Sequence, residues 1–108
     1  AARVYAVEAS DMAAVSRQIV AQNDLGDRVT VVQGRVEDVE LPEKVDVLVS
    51  EWMGFHLLHE AMLESVVVAR DKFLKPGGLM LPDEASIYLA PVQMQALCEE
   101  RFNFWQEY

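Results

Sequence analysis

The stretch VDVLVSEWMG at residues 45–54 places a short, nearly all-apolar run directly before an acidic turn. A run of this kind is typical of a parallel strand that is buried on both faces. In open parallel sheets, ligands bind beyond the carboxyl ends of the strands. The turn that starts at Ser50 and contains Glu51 is therefore a candidate ligand site.

Strand and helix patterns alternate along the rest of the chain. The strand patterns are short and rich in apolar residues, and they cover residues 3–7, 29–32, 45–49, 79–81 and 87–92. The helical patterns cover residues 12–22, 57–73 and 95–108, the first two with apolar residues three and four positions apart. Strands that alternate with helices in this way indicate βαβ units, so the sequence predicts an α/β fold with a parallel sheet.

Composition limits the class of protein. The 108 residues include 18 acidic and 9 basic side chains, a formal net charge of −9, and 52% are hydrophobic, which indicates a globular chain. The acidic balance argues against direct nucleic-acid binding and leaves open whether the charge serves solubility or attracts Arg- and Lys-rich partners. A single cysteine, Cys98, excludes a disulfide framework, and no apolar run reaches the roughly 18 residues of a membrane span.

Three glutamates follow predicted strands: Glu8, Glu37 and Glu51. The carboxyl ends of parallel strands lie at one edge of a sheet, where nucleotides bind. A carboxylate at this edge has two acceptor oxygens and can hold both hydroxyls of a ribose. For Glu8 the alternative is a solvated acid beside a helix N-terminus, where the helix dipole favours negative charge.

Glu51 and Glu60, nine residues apart, form a second candidate pair. Two carboxylates in one pocket repel each other unless a cation lies between them, and a planar guanidinium suits two carboxylates. His56 and His59 raise the alternative of a metal, but the odd spacing and apolar surroundings favour an organic ligand, so we expect no metal. The remaining alternative is that Glu51 is a plain loop acid and Glu60 a first-turn helix acid.

Four segments, in the same order, resemble the motifs of protein arginine methyltransferases. They are VYAVEAS at residues 4–10, GRVE at 34–37 with LPEKVD at 41–46, SEWMG at 50–54 followed by Glu60, and LKPGG at 74–78 with LP at 81–82. The chain looks most like the type I enzymes, which form asymmetric dimethylarginine, and LLHE at 57–60 leans toward the nuclear, histone-modifying subgroup. The resemblance implies an incomplete Rossmann-like S-adenosylmethionine-dependent methyltransferase fold of the α/β class, with the start of a C-terminal β-barrel domain.

The resemblance implies that three residues bind the cofactor, S-adenosylmethionine. Glu8 would hold the ribose hydroxyls. The backbone of Val36 and the carboxylate of Glu37 would bind the adenine amino group.

The same resemblance implies that Glu51 and Glu60 grip the guanidinium of a substrate arginine. Met53 and Met62 would shape the substrate pocket and limit how the methylated product sits. Phe55, in the same pocket, stands where the family usually has Tyr, so any hydrogen bond from that hydroxyl is lost. Two carboxylates can draw the positive charge to one side of the guanidinium, which leaves the other terminal nitrogen a better nucleophile.

The implied partners are an arginine-containing protein substrate, in a histone tail or a Gly- and Arg-rich segment, and a second copy in a homodimer. The implied location is the nucleus or the cytoplasm. Residues 1–82 would form a partial cofactor-binding domain, whose first strand and glycine-rich loop should precede Ala1, and residues 83–108 the start of the β-barrel domain and dimerisation arm. The absent strand would lie between the first and third strands seen here, so we expect the isolated chain to be marginally folded and inactive.

Two other functions stay open. A nicotinamide-dependent oxidoreductase would also use a strand-terminal Glu8 for its cofactor ribose, but it has no role for Glu51 and Glu60 together. A non-catalytic interaction module would use the acidic, aromatic C-terminal segment to bind a partner.

Overall fold

The structure, a computed structural model, describes residues 2–102 of the chain. In chain order its elements are β1 (Val4–Glu8), α1 (Met12–Gln22), β2 (Val29–Gln33), β3 (Val45–Val49), α2 (Leu63–Phe73), β4 (Leu74–Leu81) and α3 (Gln95–Arg101). The bounds of α1 and β3 agree with the sequence prediction, because each rests on a regular local pattern of apolar residues.

The strands form two parallel pairs rather than one continuous sheet. β1 pairs with β2, from Val4 beside Val29 to Glu8 beside Gln33, and β3 pairs with β4. Each pair encloses one helix in sequence, so both are βαβ units, which confirms the predicted parallel α/β fold. Among residues 2–102, β1 and β3 are each paired on one edge, and both border the same cavity. This arrangement agrees with an incomplete Rossmann-like sheet.

The core lies between α2 and the two strand pairs. Val39, Ala69 and Phe73 form one buried cluster. Half-buried side chains pack against this cluster from both strand pairs and the connection between them, namely Val7, Val32, Val36, Leu41, Val45 and Leu48. Because α2 supplies Ala69 and Phe73, its apolar face holds the two βαβ units together.

The helix α2 begins six residues later than the sequence predicts, at Leu63 rather than Leu57. Gly54 and Leu57 instead exchange two backbone hydrogen bonds, of 3.1 and 2.9 Å, and close a tight turn. Leu57 and Ala61 have φ angles of +68° and +54°, in the left-handed region that interrupts a right-handed helix. Residues 57–62 therefore belong to a loop, although the spacing of their apolar side chains resembles that of a helix.

The burial of β3 also differs from the prediction of a strand covered on both faces. Val47 and Val49 are 45% and 73% exposed. The reason is that β3 packs on α2 with one face, while these two residues line the cavity. β4 in turn begins five residues before its predicted start, since the KPGG segment at 75–78 continues as a strand, with Gly77 at a φ of +74°.

The prediction of a strand at residues 87–92 is wrong. Residues 83–94 contain no helix or strand, and their side chains are exposed, so no neighbouring strand edge stabilises an extended pairing there. α3 begins at Gln95 as predicted, and the part of that prediction at residues 103–108 lies outside the described residues. None of the helices described here has both the length and the apolar character needed to cross a bilayer.

Candidate functional site

One cavity of about 1240 Å³ runs along β1 and β3, between their unpaired edges, and reaches the carboxyl ends of these strands, and five of the residues singled out in the sequence line it. Glu8 ends β1, Val36 and Glu37 follow β2, and Glu51 follows β3, whereas Met62 precedes α2. Parallel strands present their carboxyl ends at one edge, which is why acids that are far apart in sequence meet here. The expected convergence of Glu8, Glu37 and Glu51 is thus observed.

Glu8 is half-buried and fixed by the chain that follows it. Its Oε1 accepts a hydrogen bond of 2.7 Å from the backbone N–H of Ser10, whose own Oγ accepts from the N–H of Met12 at 3.2 Å. The bond from the Ser10 N–H lowers the pKa of Glu8 below its ordinary value. The lowered pKa favours the ionised form of Glu8, whose two oxygens both accept hydrogen bonds.

A compact turn, here named the Glu37 turn (residues 34–39), carries the second cavity acid. The N–H groups of Asp38 and Val39 donate to the carbonyl oxygen of Arg35 at 3.0 and 3.1 Å, and the Val39 side chain enters the core. Gly34 opens the turn with a φ of +148°, and a Cβ on it would lie 2.7 Å from Cγ1 of Val39. Only glycine meets both conditions without strain.

The Glu37 carboxylate has partners on both oxygens. The hydroxyl of Ser65, on α2, donates to Oε1, and Nε of Arg35 lies 3.5 Å from Oε2. The Ser65 hydroxyl is the main reason why the pKa of Glu37 lies below its ordinary value, and the charge of Arg35 acts in the same direction. Because an ionised carboxylate has about four acceptor positions, Glu37 can still receive a donor from the cavity.

The sequence interpretation missed two α2 residues that support Glu37, Ser65 and Lys72. Nζ of Lys72 donates to the carbonyl oxygens of Glu37 and Val39. Ser65 and Lys72 are seven positions apart, two helical turns, so they lie on the same face of α2. The sequence shows this shared helix face, but it does not show that the face contacts Glu37.

The third cavity acid belongs to a loop that we name the acidic loop (residues 51–62). Trp52 is buried and anchors the start of the loop, whereas Glu51 and Glu60 are exposed. His56 shares with Leu57 and Ala61 a φ in the left-handed region. Such values are strained for residues with a Cβ and occur where the surrounding structure imposes them, often in functional loops.

The structure does not bring Glu60 into the cavity with Glu51. The Glu60 side chain lies against Gly54 instead, where an added Cβ would be 2.6 Å from Cγ of Glu60. Met53 and Phe55 are also not among the cavity-lining residues, and Phe55 is 81% exposed with an edge-on contact to His59. The pairing of Glu51 with Glu60 around a guanidinium stays a prediction.

The chemistry of the cavity follows from its lining. Glu8 and Glu37 offer fixed, ionised acceptors at neighbouring strand ends, which suit a ligand with hydroxyl and amino donors. Val36 adds an apolar side chain between them, and Glu51 adds negative charge on the opposite strand pair. The lining therefore offers hydrogen-bond acceptors for a polar ligand beside Glu8 and Glu37.

Comparison with known proteins gives the chain a clear set of relatives. A family model described as a methyltransferase domain matches residues 1–78. The chain is 58% identical over 107 residues to a probable protein arginine N-methyltransferase 6.2 of Oryza sativa subsp. indica, which covers 99% of this chain and 27% of that protein. It is 54% identical over 105 residues to protein arginine N-methyltransferase 6 of Danio rerio, which covers 97% of this chain and 30% of that protein. The chain thus spans less than a third of the length of these curated relatives.

Two solved structures are similar in fold. One is a Trypanosoma brucei PRMT1 enzyme–prozyme heterotetrameric complex with AdoHcy, with a TM-score of 0.91 and 42% identity over 98% of this chain and 33% of that chain. The other is protein arginine methyltransferase 10 of Arabidopsis thaliana, in a conformation described as uniquely open, with a TM-score of 0.73 and 56% identity over 75% of this chain and 23% of that chain. Both agree with the resemblance that the sequence motifs carry.

Proposed function

Since this chain belongs to the methyltransferase-domain family and is homologous to protein arginine N-methyltransferases, we propose that its protein transfers methyl groups from S-adenosylmethionine to arginine side chains. One observation carries the proposal: Glu8, Glu37 and Glu51, each after a different strand, line a single cavity. Transfer requires donor and acceptor to be aligned in one space, and alignment supplies much of the rate.

The cofactor side of the proposal rests on Glu8, Val36 and Glu37. Neighbouring donors lower the pKa of both carboxyl groups, which favours the ionised form that would accept the ribose hydroxyls and the adenine amino group. S-adenosylmethionine, when bound, supplies a methyl group on a positively charged sulfur. The structure of a Trypanosoma brucei relative in complex with AdoHcy, the demethylated form of this cofactor, supports the same ligand class here.

The substrate side rests on Glu51 and Glu60. Their carboxylates would bind the guanidinium, draw its positive charge to one side and leave the other terminal nitrogen as the nucleophile. Two carboxylates repel each other, so the guanidinium itself is the group that favours their approach, and Glu60 would leave its position against Gly54. Met53, Phe55 and Met62 would then close the apolar wall of the pocket.

The finer parts of the proposal follow from the sequence resemblance. We infer asymmetric dimethylation, a histone tail or a Gly- and Arg-rich segment as substrate, and action in the nucleus or cytoplasm. We also infer a homodimer, and an oligomeric relative, the enzyme–prozyme heterotetramer, supports assembly in general. Residues 1–82 would belong to the cofactor-binding domain and residues 83–108 to the start of the β-barrel domain and the dimerisation arm.

The test is a transfer assay on the full-length protein with tritiated S-adenosylmethionine and a Gly- and Arg-rich peptide. We expect label in asymmetric dimethylarginine, and a loss of kcat/KM of about 100-fold or more in Glu51→Gln and in Glu60→Gln. The isolated 108 residues should show no transfer, because β1 and β3 are left with an unpaired edge each in the part of the chain that the structure describes.

Two controls make this assay decisive. Glu64→Gln changes an exposed acid in the first turn of α2 and should keep kcat/KM within about twofold of wild type, as surface changes do. A peptide with every Arg replaced by Lys should accept no label. Full activity in both Glu51→Gln and Glu60→Gln, or label on the Lys peptide, would contradict the assigned roles.

A second candidate, a non-catalytic interaction module, is favoured by the exposed segment at residues 83–102. Tyr88 and Leu89 are 90% and 93% exposed, and apolar side chains in such numbers are typical of a contact surface. The assay separates the two functions, because a binding module transfers no label to begin with. Loss of transfer in the Glu51 variant therefore selects the enzyme.

A further inference from the structure

Lys72 directs its ammonium group from α2 to the Glu37 turn. Its Nζ donates to the carbonyl oxygen of Glu37 at 3.0 Å and to that of Val39 at 2.8 Å, and it lies 3.2 Å from Oε1 of Glu40. The ammonium group thus donates two hydrogen bonds to backbone carbonyl oxygens, and the Glu40 carboxylate adds an ion pair. The Nζ atom also lies 5.2 Å from the centre of the Phe73 ring, within the range of a cation–π contact.

The Glu37 turn needs a partner of this kind at its end. It is a single helical turn, in which the N–H groups of Asp38 and Val39 use the carbonyl of Arg35. The last carbonyl oxygens of such a turn accept no hydrogen bond within the turn, and they carry partial negative charge. A lysine ammonium group can donate hydrogen bonds to them. Here that lysine comes from α2, more than thirty residues further along the chain.

The same helix face also holds the Glu37 side chain, through the Ser65 hydroxyl. Lys72 thus fixes the backbone of Glu37 and Ser65 its carboxylate. Because both its backbone and its carboxylate are held, the Glu37 side chain has a fixed orientation, and so do the acceptor positions of its carboxylate that remain free. Glu37 is among the residues that line the cavity.

We propose that Lys72 is a positioning residue for the adenine end of the cofactor site, because it fixes the turn from which Glu37 reads the adenine amino group. This inference rests on the proposed function, which makes Glu37 an adenine ligand. Lys72 acts through Glu37 and touches no cofactor atom in this scheme. Its loss should therefore weaken the selection of adenine over a base without the amino group.

The experiment measures binding of two cofactor products to the full-length protein by isothermal titration calorimetry. S-adenosylhomocysteine carries the amino group, and S-inosylhomocysteine carries an oxygen in its place. We expect wild type to prefer the first by about tenfold or more, since the amino group donates to a charged acceptor. Lys72→Met should reduce this preference about threefold or more, whereas Lys72→Arg, which keeps the charge and the donors, should retain most of it.

Arg70→Met is the matched control, because Arg70, also on α2, pairs with the exposed Asp71 and is not among the cavity-lining residues, so this variant should keep the wild-type preference. If Lys72→Met does not fold, Lys72→Ala, which also removes the charge and the donors, is measured by the same criterion. A wild-type preference in the substituted protein overturns the role of Lys72. A wild-type protein that does not bind S-adenosylhomocysteine, or does not discriminate, overturns the proposed function instead.

Discussion

The Glu37 turn and the acidic loop border one cavity but are built in opposite ways. In the turn, Glu37 has side-chain partners on both oxygens and a lysine on its carbonyl. In the loop, Glu51 and Glu60 are exposed, and within residues 2–102 neither carboxylate has a hydrogen-bond or ion-pair partner. A carboxylate that binds the same ligand every time can be positioned before binding. A carboxylate that has to close around an incoming cation needs freedom to move.

The two regions also differ in how they contact the core. Val39 connects the Glu37 turn to the core, because its side chain forms a buried cluster with Ala69 and Phe73. The acidic loop is anchored by buried Trp52, but Phe55 and Leu58 remain exposed. Substitutions of residues packed on the core should therefore change the stability of the fold, and substitutions of the exposed residues of the acidic loop should change activity alone.

The largest expected difference comes from the same substitution in the core cluster that holds the Glu37 turn and in the acidic loop. Phe73→Ala removes a ring that is 4% exposed and should cost about 3–5 kcal/mol of unfolding free energy. Phe55→Ala removes a ring that is 81% exposed and should stay within about 0.5 kcal/mol. Urea unfolding of the full-length protein measures both. Similar losses in the two variants would mean that the acidic loop is packed, against the contrast drawn here.

A glycine pair tests whether the Glu37 turn is sterically fixed. Gly34→Ala puts a methyl group 2.7 Å from Val39 at a φ of +148° and should destabilise by about 1–3 kcal/mol. Gly26→Ala meets nothing within 4 Å and should be neutral or stabilise by up to about 1 kcal/mol. Thermal melts of the two variants give the comparison. A tolerant Gly34 would show that the turn can shift away from Val39.

A smaller effect is expected from pH, through the bond between Ser65 and Glu37. That bond holds the pKa of Glu37 below its ordinary value of 4.5, so ionised Glu37 stabilises the fold above this pH, and the stabilisation is lost as the pH falls through the lowered pKa. Ser65→Ala should raise the pKa of Glu37 toward 4.5. Wild type should therefore exceed Ser65→Ala in stability by a constant margin near neutral pH, and the margin should shrink in acid. A margin that does not change with pH would assign the effect of Ser65 to packing.

Local sequence patterns correctly predict the parts of the fold that depend on residues close together in the chain. α1 and β3 begin and end as predicted, because each is one unbroken pattern of apolar side chains. The start of α2 was misplaced because Leu57 and Ala61 lie at helical spacing but take left-handed backbone angles. The stretch at residues 87–92 has strand composition, but a strand also needs an edge to pair with, and composition does not supply one.

The candidate site divides in the same way. Glu8, Glu37 and Glu51 could be placed together from the sequence, because strand ends in a parallel sheet share an edge. Ser65 and Lys72 could not, since their contacts with the Glu37 turn cross about thirty residues of chain and depend on which face of α2 turns inward. The position of Glu60 against Gly54 depends on a turn that spacing alone does not indicate.

The most direct test of the contrast between the two regions is the affinity for S-adenosylhomocysteine of two matched variants, measured by calorimetry on the full-length protein. Glu37→Gln should weaken binding about tenfold or more, because a fixed charged acceptor is lost. Glu60→Gln should bind within about twofold of wild type, because the proposed function assigns the acidic loop to the substrate and not to the cofactor. Equal weakening of binding in both variants, or weakening in Glu60→Gln alone, would contradict this account. It requires that the Glu37 turn is positioned for the cofactor before binding and that the acidic loop is not.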